Sequence, residues 1–203
     1  MPFFVAVRYE AWPDRLESLL EVIRGDFAAS PTSQPSRRFA RVFQHLENPA
    51  RLLAMEEWQN QADFERHTNA RAYAEALAAC GPAPRANALE RLQHYRHMPH
   101  PPSALACITL SSPPDRAPEV EDFVCDEERR DALDASGLVL RAVYRVVGTA
   151  GRLLVLHGWR SLDDLDRYFA TSARSLAELL EATGASSDQF TGQMAAQFSW
   201  LES

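Results

Sequence analysis

"EEWQNQADFERH", Glu56 to His67, passes from a strand ending at Trp58 into a helix starting near Asn60, and "HGWRSLDDLDRY", His157 to Tyr168, repeats the passage. The echo decides the fold. A shift of 101 residues lays Trp58 on Trp159, and the same register holds along both halves without a gap. "PDR" at Pro13 to Arg15 falls on "PDR" at Pro114 to Arg116, and "RLL" at Arg51 to Leu53 on "RLL" at Arg152 to Leu154. Asp63, Arg66, Ala72 and Ala76 likewise meet Asp164, Arg167, Ala173 and Ala177. A common register of this length marks an internal duplication.

Each half parses in one order. "FFVAVRYE" and "ALACITLS" are runs of strand formers, and the "PD" that follows supplies a stop and an N-cap aspartate, with Glu17 three residues after Asp14. Leu16, Leu19, Leu20, Ile23 and Phe27 then recur at helical spacing, matched more thinly by Val120, Phe123 and Val124. After a loop containing "SPTSQPS", "FARVFQHL" and "RLLAMEEW" form a hairpin across "ENPA", with "GTAG" as the counterpart turn. Asn60 with Asp63, and Ser161 with Asp164, cap a second helix running to about Ala79 and Leu180. The last strands are "RLQHYRHM" and "QMAAQFSWL".

The βαββαβ order predicts an α+β protein: two ferredoxin-like modules, residues 1–98 and 104–203, joined by a stiff proline-rich linker at 99–103. One module alone leaves a sheet face bare. Two modules packed sheet to sheet form an intramolecular dimeric α/β barrel, so the expected state is a monomer with an internal pseudo-dimer, further homodimerisation being left open.

Composition narrows the chemistry. All 21 basic residues are arginine, which excludes Schiff-base and P-loop lysines. The 8 glycines include no G-x-G, which excludes a dinucleotide fingerprint. A formal charge of −7 offers no basic stripe, so neither nucleic acid nor a membrane surface is an expected partner and a small aromatic molecule fits better. Three cysteines without C-x-x-C spacing suggest reduced thiols in the cytoplasm. The apolar opening ends at Val7, too short for a signal segment. "HYRHMPH" sets His94, His97 and His100 three apart, but alternation along a strand turns His94 and His97 to opposite sides, so no metal site is expected.

The candidate site lies under the second helix of the first half. At 100° per residue Phe64, His67, Arg71, Ala74 and Ala78 share one arc, against Leu165, Tyr168, Ser172, Ser175 and Leu179 in the second. The preceding strand puts Leu52, Ala54, Glu56 and Trp58 on one face, with His157 in place of Glu56. Arg8 and Tyr9 replace Thr109 and Leu110, and His94, Tyr95, Arg96 and His97 add further polar groups. Titratable character is therefore expected chiefly in the first half. Trp58 and Trp159 also serve as packing anchors, and Arg66 and Arg167 point to solvent as ion-pair partners.

"EEW…ADFERH" followed by "NARAY" resembles the antibiotic biosynthesis monooxygenase (ABM) superfamily, in both halves and over nearly the whole chain. The resemblance implies dimeric α+β barrels with a cavity between each sheet and its helices. It also implies oxidation of phenols, anthrones or quinols by dioxygen without metal or flavin, hence no cofactor. Such chemistry needs a base, a stabiliser of the electron-rich anion and an apolar pocket. On that resemblance His67 is the base and Arg71 or Arg8 the stabiliser, with Trp58, Phe64 and Tyr73 as walls and Glu56 lining the substrate site. The haem-degrading branch resembles this chain less, because Leu77 stands where that branch has its axial histidine and His67 where it has a tryptophan. A non-catalytic ligand-binding or stress-related accessory protein, and a cyclase or isomerase on the same scaffold, remain alternatives.

Overall fold

The computed structural model describes residues 2–33, 35–96, 101–131 and 137–199. The first half runs β1 (Phe3–Glu10), α1 (Leu16–Ser33), β2 (Arg37–His45), β3 (Arg51–Trp58), α2 (Gln61–Thr68), α3 (Arg71–Ala78) and β4 (Arg85–Arg96). The second runs β5 (Ala104–Ser111), α4 (Ala117–Asp131), β6 (Leu138–Val146), β7 (Arg152–Trp159), α5 (Leu162–Thr183) and β8 (Ser186–Ser199). Hydrogen-bonded neighbours follow the order β1-β3-β2-β8-β5-β7-β6-β4, a closed barrel. The α+β duplication read from the sequence is the fold of the chain.

The described residues divide into two compact units, one within 1–89 and 194–203 and one within 90–193. In the first, β1 pairs antiparallel with β3 and β4, and β2 with β3. Val5, Val7 and Tyr9 of β1, Ala40 and Val42 of β2, and Leu52, Ala54 and Trp58 of β3 pack under Leu19, Leu20, Ile23 and Phe27 of α1, Phe64 of α2 and Leu77 of α3. Each large apolar side chain so buried contributes roughly 1.5–3 kcal/mol. Phe4, Ala6, Leu53 and Met55, which alternation turns to the opposite face, are buried too. That two-sided burial is why "FFVAV" is a continuous apolar run.

In the second unit β5 pairs with β7 and β8, and β6 with β7, in the same antiparallel manner. Ile108, Leu110, Val143, Leu153 and Val155 pack with Val120 and Val124 of α4 and Leu179 of α5. Gly151, at φ 72°, closes the β6–β7 turn in a conformation that favours glycine.

Three boundaries differ from the sequence reading. α1 continues through Pro31 to Ser33, across part of the expected loop. β4 begins at Arg85 and β8 at Ser186, both before the expected starts, because strand pairing with β1 and β5 carries polar residues that propensity alone leaves in loops. The second helix of the first half is not continuous. It breaks at Asn69–Ala70, where Thr68 and Asn69 favour caps over helix interior: the Thr68 hydroxyl and the Asn69 N–H both bond the Glu65 carbonyl. Pro99 and His100 of the expected linker lie outside the described residues, as does His97.

Candidate functional site

The predicted caps form: the Asn60 side chain accepts from the Asp63 N–H at 3.0 Å and Ser161 from the Asp164 N–H at 3.2 Å. Starting α2 at Gln61 places Phe64 inward, and one turn later His67, whose side chain is 6% exposed. The His67 ring stacks on Trp58 with centroids 5.2 Å apart and lies 4.5 Å from the Tyr73 ring. Phe64 meets the Trp58 edge at 5.9 Å. Trp58, Phe64, His67 and Tyr73 are thus brought together.

Arg71 is not. Its side chain is 90% exposed and bonds Glu75 at 2.8 Å. The helix break explains the difference, since restarting the helix at Arg71 resets the rotational phase and turns Tyr73 and Leu77 inward instead. Arg8 also lies elsewhere: it pairs with Leu53 while Val7 pairs with Ala54, so it occupies the sheet face opposite His67.

A different arginine fills the place. Between Arg37 and Phe39 the β2–β3 register shifts, so that Arg37 pairs with Trp58 while Phe39 pairs with Glu57. The bulge re-aims Arg37 beneath the helices and leaves Arg38 outside, half exposed beside Glu57. Arg37 is completely buried, with its guanidinium 4.6 Å from the Trp58 ring and 5.2 Å from the Phe27 ring. Its Nη1 meets the Asp26 carboxylate at 2.7 Å, its Nε lies 3.6 Å from Glu56, and its Nη2 is 2.9 Å from His67 Nε2. The Trp58 indole N–H donates to Glu56 at 2.9 Å.

These contacts define protonation. A guanidinium only donates, so His67 Nε2 accepts, and the ring is neutral with its proton on Nδ1. Burial pushes the His67 pKa down to about 4; Asp26, 3.6 Å from Nε2, opposes the shift and Arg37 adds to it. Burial raises the Glu56 carboxyl above its usual value, against the pull of Arg37 and the Trp58 hydrogen bond. Tyr9 and Tyr73, with hydroxyls 3.4 Å apart, are both raised, by burial first, so these phenols stay neutral at working pH.

Arg37 and Asp26 escaped the sequence reading. Asp26 left a signal: it stands three residues after Ile23 and beside Phe27 on the apolar arc of α1. Arg37 left none, because plain alternation from Ala40 and Val42 turns residue 38 inward. Arg66 and Arg167 behave as expected, in exposed pairs with Asp63 and Asp164. Polar burial is not confined to the first half, since Arg141 and His157 are 1% and 2% exposed. Among the described residues no disulfide links Cys80, Cys107 and Cys125. No helix among the described residues is long and apolar enough to cross a membrane.

Every residue of this cluster lies within residues 2–79, which match the profile of the antibiotic biosynthesis monooxygenase family. The first module is an ABM domain. No curated protein matches the chain by sequence. Solved structures extend the ABM-like fold over nearly its full length. A candidate monooxygenase from Fusobacterium nucleatum has a TM-score of 0.77 at 9% identity, covering 98% of this chain and 94% of its own. One from Lactobacillus acidophilus has a TM-score of 0.73 at 9% identity, covering 98% and 96%. An anthrone oxidase-like protein has a TM-score of 0.74 at 11% identity, covering 97% and 92%. At such identities the likeness concerns the fold.

Proposed function

We propose that the ABM module is a cofactor-independent monooxygenase acting on a small aromatic, phenolic or quinol substrate. The observation that carries the reading is the contact between Arg37 Nη2 and His67 Nε2, which sets a neutral imidazole and a fixed cation side by side against an aromatic wall. A base must be unprotonated to act, and His67 is unprotonated at neutral pH. Its low basicity demands that the anion be stabilised as it forms. Arg37 is the group that does so, taking the role the resemblance gave to Arg71 or Arg8. Once protonated, Nε2 turns from accepting the Arg37 N–H to donating toward Asp26, 3.6 Å away. Trp58, Phe64 and Tyr73 wall the ring of the substrate.

A phenol with a free para C–H illustrates the balance. Phenol and dioxygen give quinone and water: one oxygen atom enters the ring, the other leaves with two hydrogens, and the substrate supplies all the electrons. The test is oxygen uptake with hydroquinones and anthrones. His67→Ala is expected to slow uptake by roughly 10²–10⁴-fold, the usual worth of a general base. Equal rates in parent and variant would refute the mechanism, and turnover without oxygen would indicate the cyclase or isomerase chemistry instead.

A further inference from the structure

In the ABM module the nitrogens of the buried Arg37 guanidinium already face protein groups before any substrate arrives. Nη1 meets the Asp26 carboxylate at 2.7 Å, Nη2 donates to His67 Nε2 at 2.9 Å, and Nε faces the Glu56 carboxyl at 3.6 Å. The Phe27 and Trp58 rings lie 5.2 and 4.6 Å from its central carbon. Two carboxyl groups thus share one guanidinium. With His67 neutral, these four groups carry no net positive charge.

A negative charge brought in from outside meets a poor host here. A carboxylate is held best by two parallel N–H donors of one guanidinium. Asp26 occupies the Nη1 side, and a carboxylate placed at the Nε edge would stand against Glu56. Like charges so placed repel, and a buried charge left unpaired is costly. A phenol differs. It arrives neutral, and the proton it gives to His67 ends the acceptance at Nε2, which releases the Nη2 donor of Arg37 as the phenolate appears. The cation becomes available to an anion made inside the site.

We infer that the ABM site selects uncharged phenols and quinols and rejects their carboxylate-bearing analogues, with Asp26 and Glu56 as the specificity-determining residues. The inference rests on the reading of this site as one that deprotonates a phenol at His67, and it narrows that substrate class by charge. A carboxamide on the same ring matches a carboxylate closely in shape. The pair therefore separates charge from size.

The probes are 3-hydroxybenzamide and 3-hydroxybenzoate at neutral pH, with binding followed by calorimetry in the absence of oxygen, so that affinity is read apart from turnover. The parent chain is expected to bind the amide saturably and the carboxylate roughly a hundredfold more weakly, the order of an unpaired buried charge. Asp26→Asn, which keeps an acceptor for Nη1 and removes a negative charge, should narrow that ratio to about tenfold or less. The comparison within the parent stands even if this variant does not fold. Equal or tighter binding of the carboxylate by the parent, an unchanged ratio in folded Asp26→Asn, or no binding of the amide would overturn the inference. Oxygen uptake with the same two phenols separates the inference from the reading beneath it. Selection without uptake would sink the oxygenase reading and leave the selection standing, and uptake with equal affinities would sink the selection alone.

Discussion

His67→Phe tests the electrostatics of the ABM site through stability. Phenylalanine keeps an aromatic ring against Trp58 but cannot titrate. In the parent, burial holds the folded-state pKa of His67 near 4 against an ordinary value of 6.5. Between those values the unfolded chain binds a proton that the folded chain refuses. Stability contributed by His67 is therefore full above pH 6.5 and is lost as pH falls toward 4. A shift from 6.5 to about 4 corresponds, at pH 4, to about 3 kcal/mol. Glu56 runs the other way: its raised carboxyl stabilises the folded state at low pH, and that contribution fades as pH climbs through its folded-state value. Both proteins keep Glu56, so the difference between them isolates His67. Urea unfolding from pH 8 to pH 4, followed by tryptophan fluorescence, should show the parent losing about 3 kcal/mol more than His67→Phe. Parallel curves would refute the assignment of a buried neutral imidazole.

Three further outcomes follow from the same contacts. Arg37→Met leaves Asp26 and Glu56 buried without their shared cation, and denaturant unfolding should show a loss of roughly 3–5 kcal/mol. In Gly81→Ala the new Cβ would stand 1.9 Å from the Glu10 carbonyl oxygen, a backbone atom that cannot swing aside, so thermal unfolding should report a cost of about 1–3 kcal/mol. Asn60→Ala removes the acceptor for the Asp63 N–H at the start of α2, and chemical denaturation should report a loss of about 1 kcal/mol.

The duplication, the strand order and the helix caps were legible because each is written locally: a register of identities, runs of strand formers, and an Asn or Ser three residues before an Asp. The positions of His67 and Phe64 followed from those caps, since the cap fixes the phase of α2, and that of Trp58 from alternation along its strand. Arg71 was misplaced by the same logic carried too far, as a constant 100° step holds only while the helix is unbroken. Arg37 depended on a bulge, which shifts pairing between two strands and has no signature in either one. The polarity of the second unit was hidden differently: His157 was visible, but Arg141 becomes its neighbour only through the β6–β7 register.

The state of His67 is what the proposed chemistry rests on, and ¹⁵N spectroscopy of histidine-labelled protein reads it directly. At pH 7 and again at pH 5.5, His67 should be neutral with Nδ1 protonated and Nε2 bare, and Arg37→Met should shift the Nε2 signal. A doubly protonated ring at pH 5.5, or a proton on Nε2 at pH 7, would contradict the account.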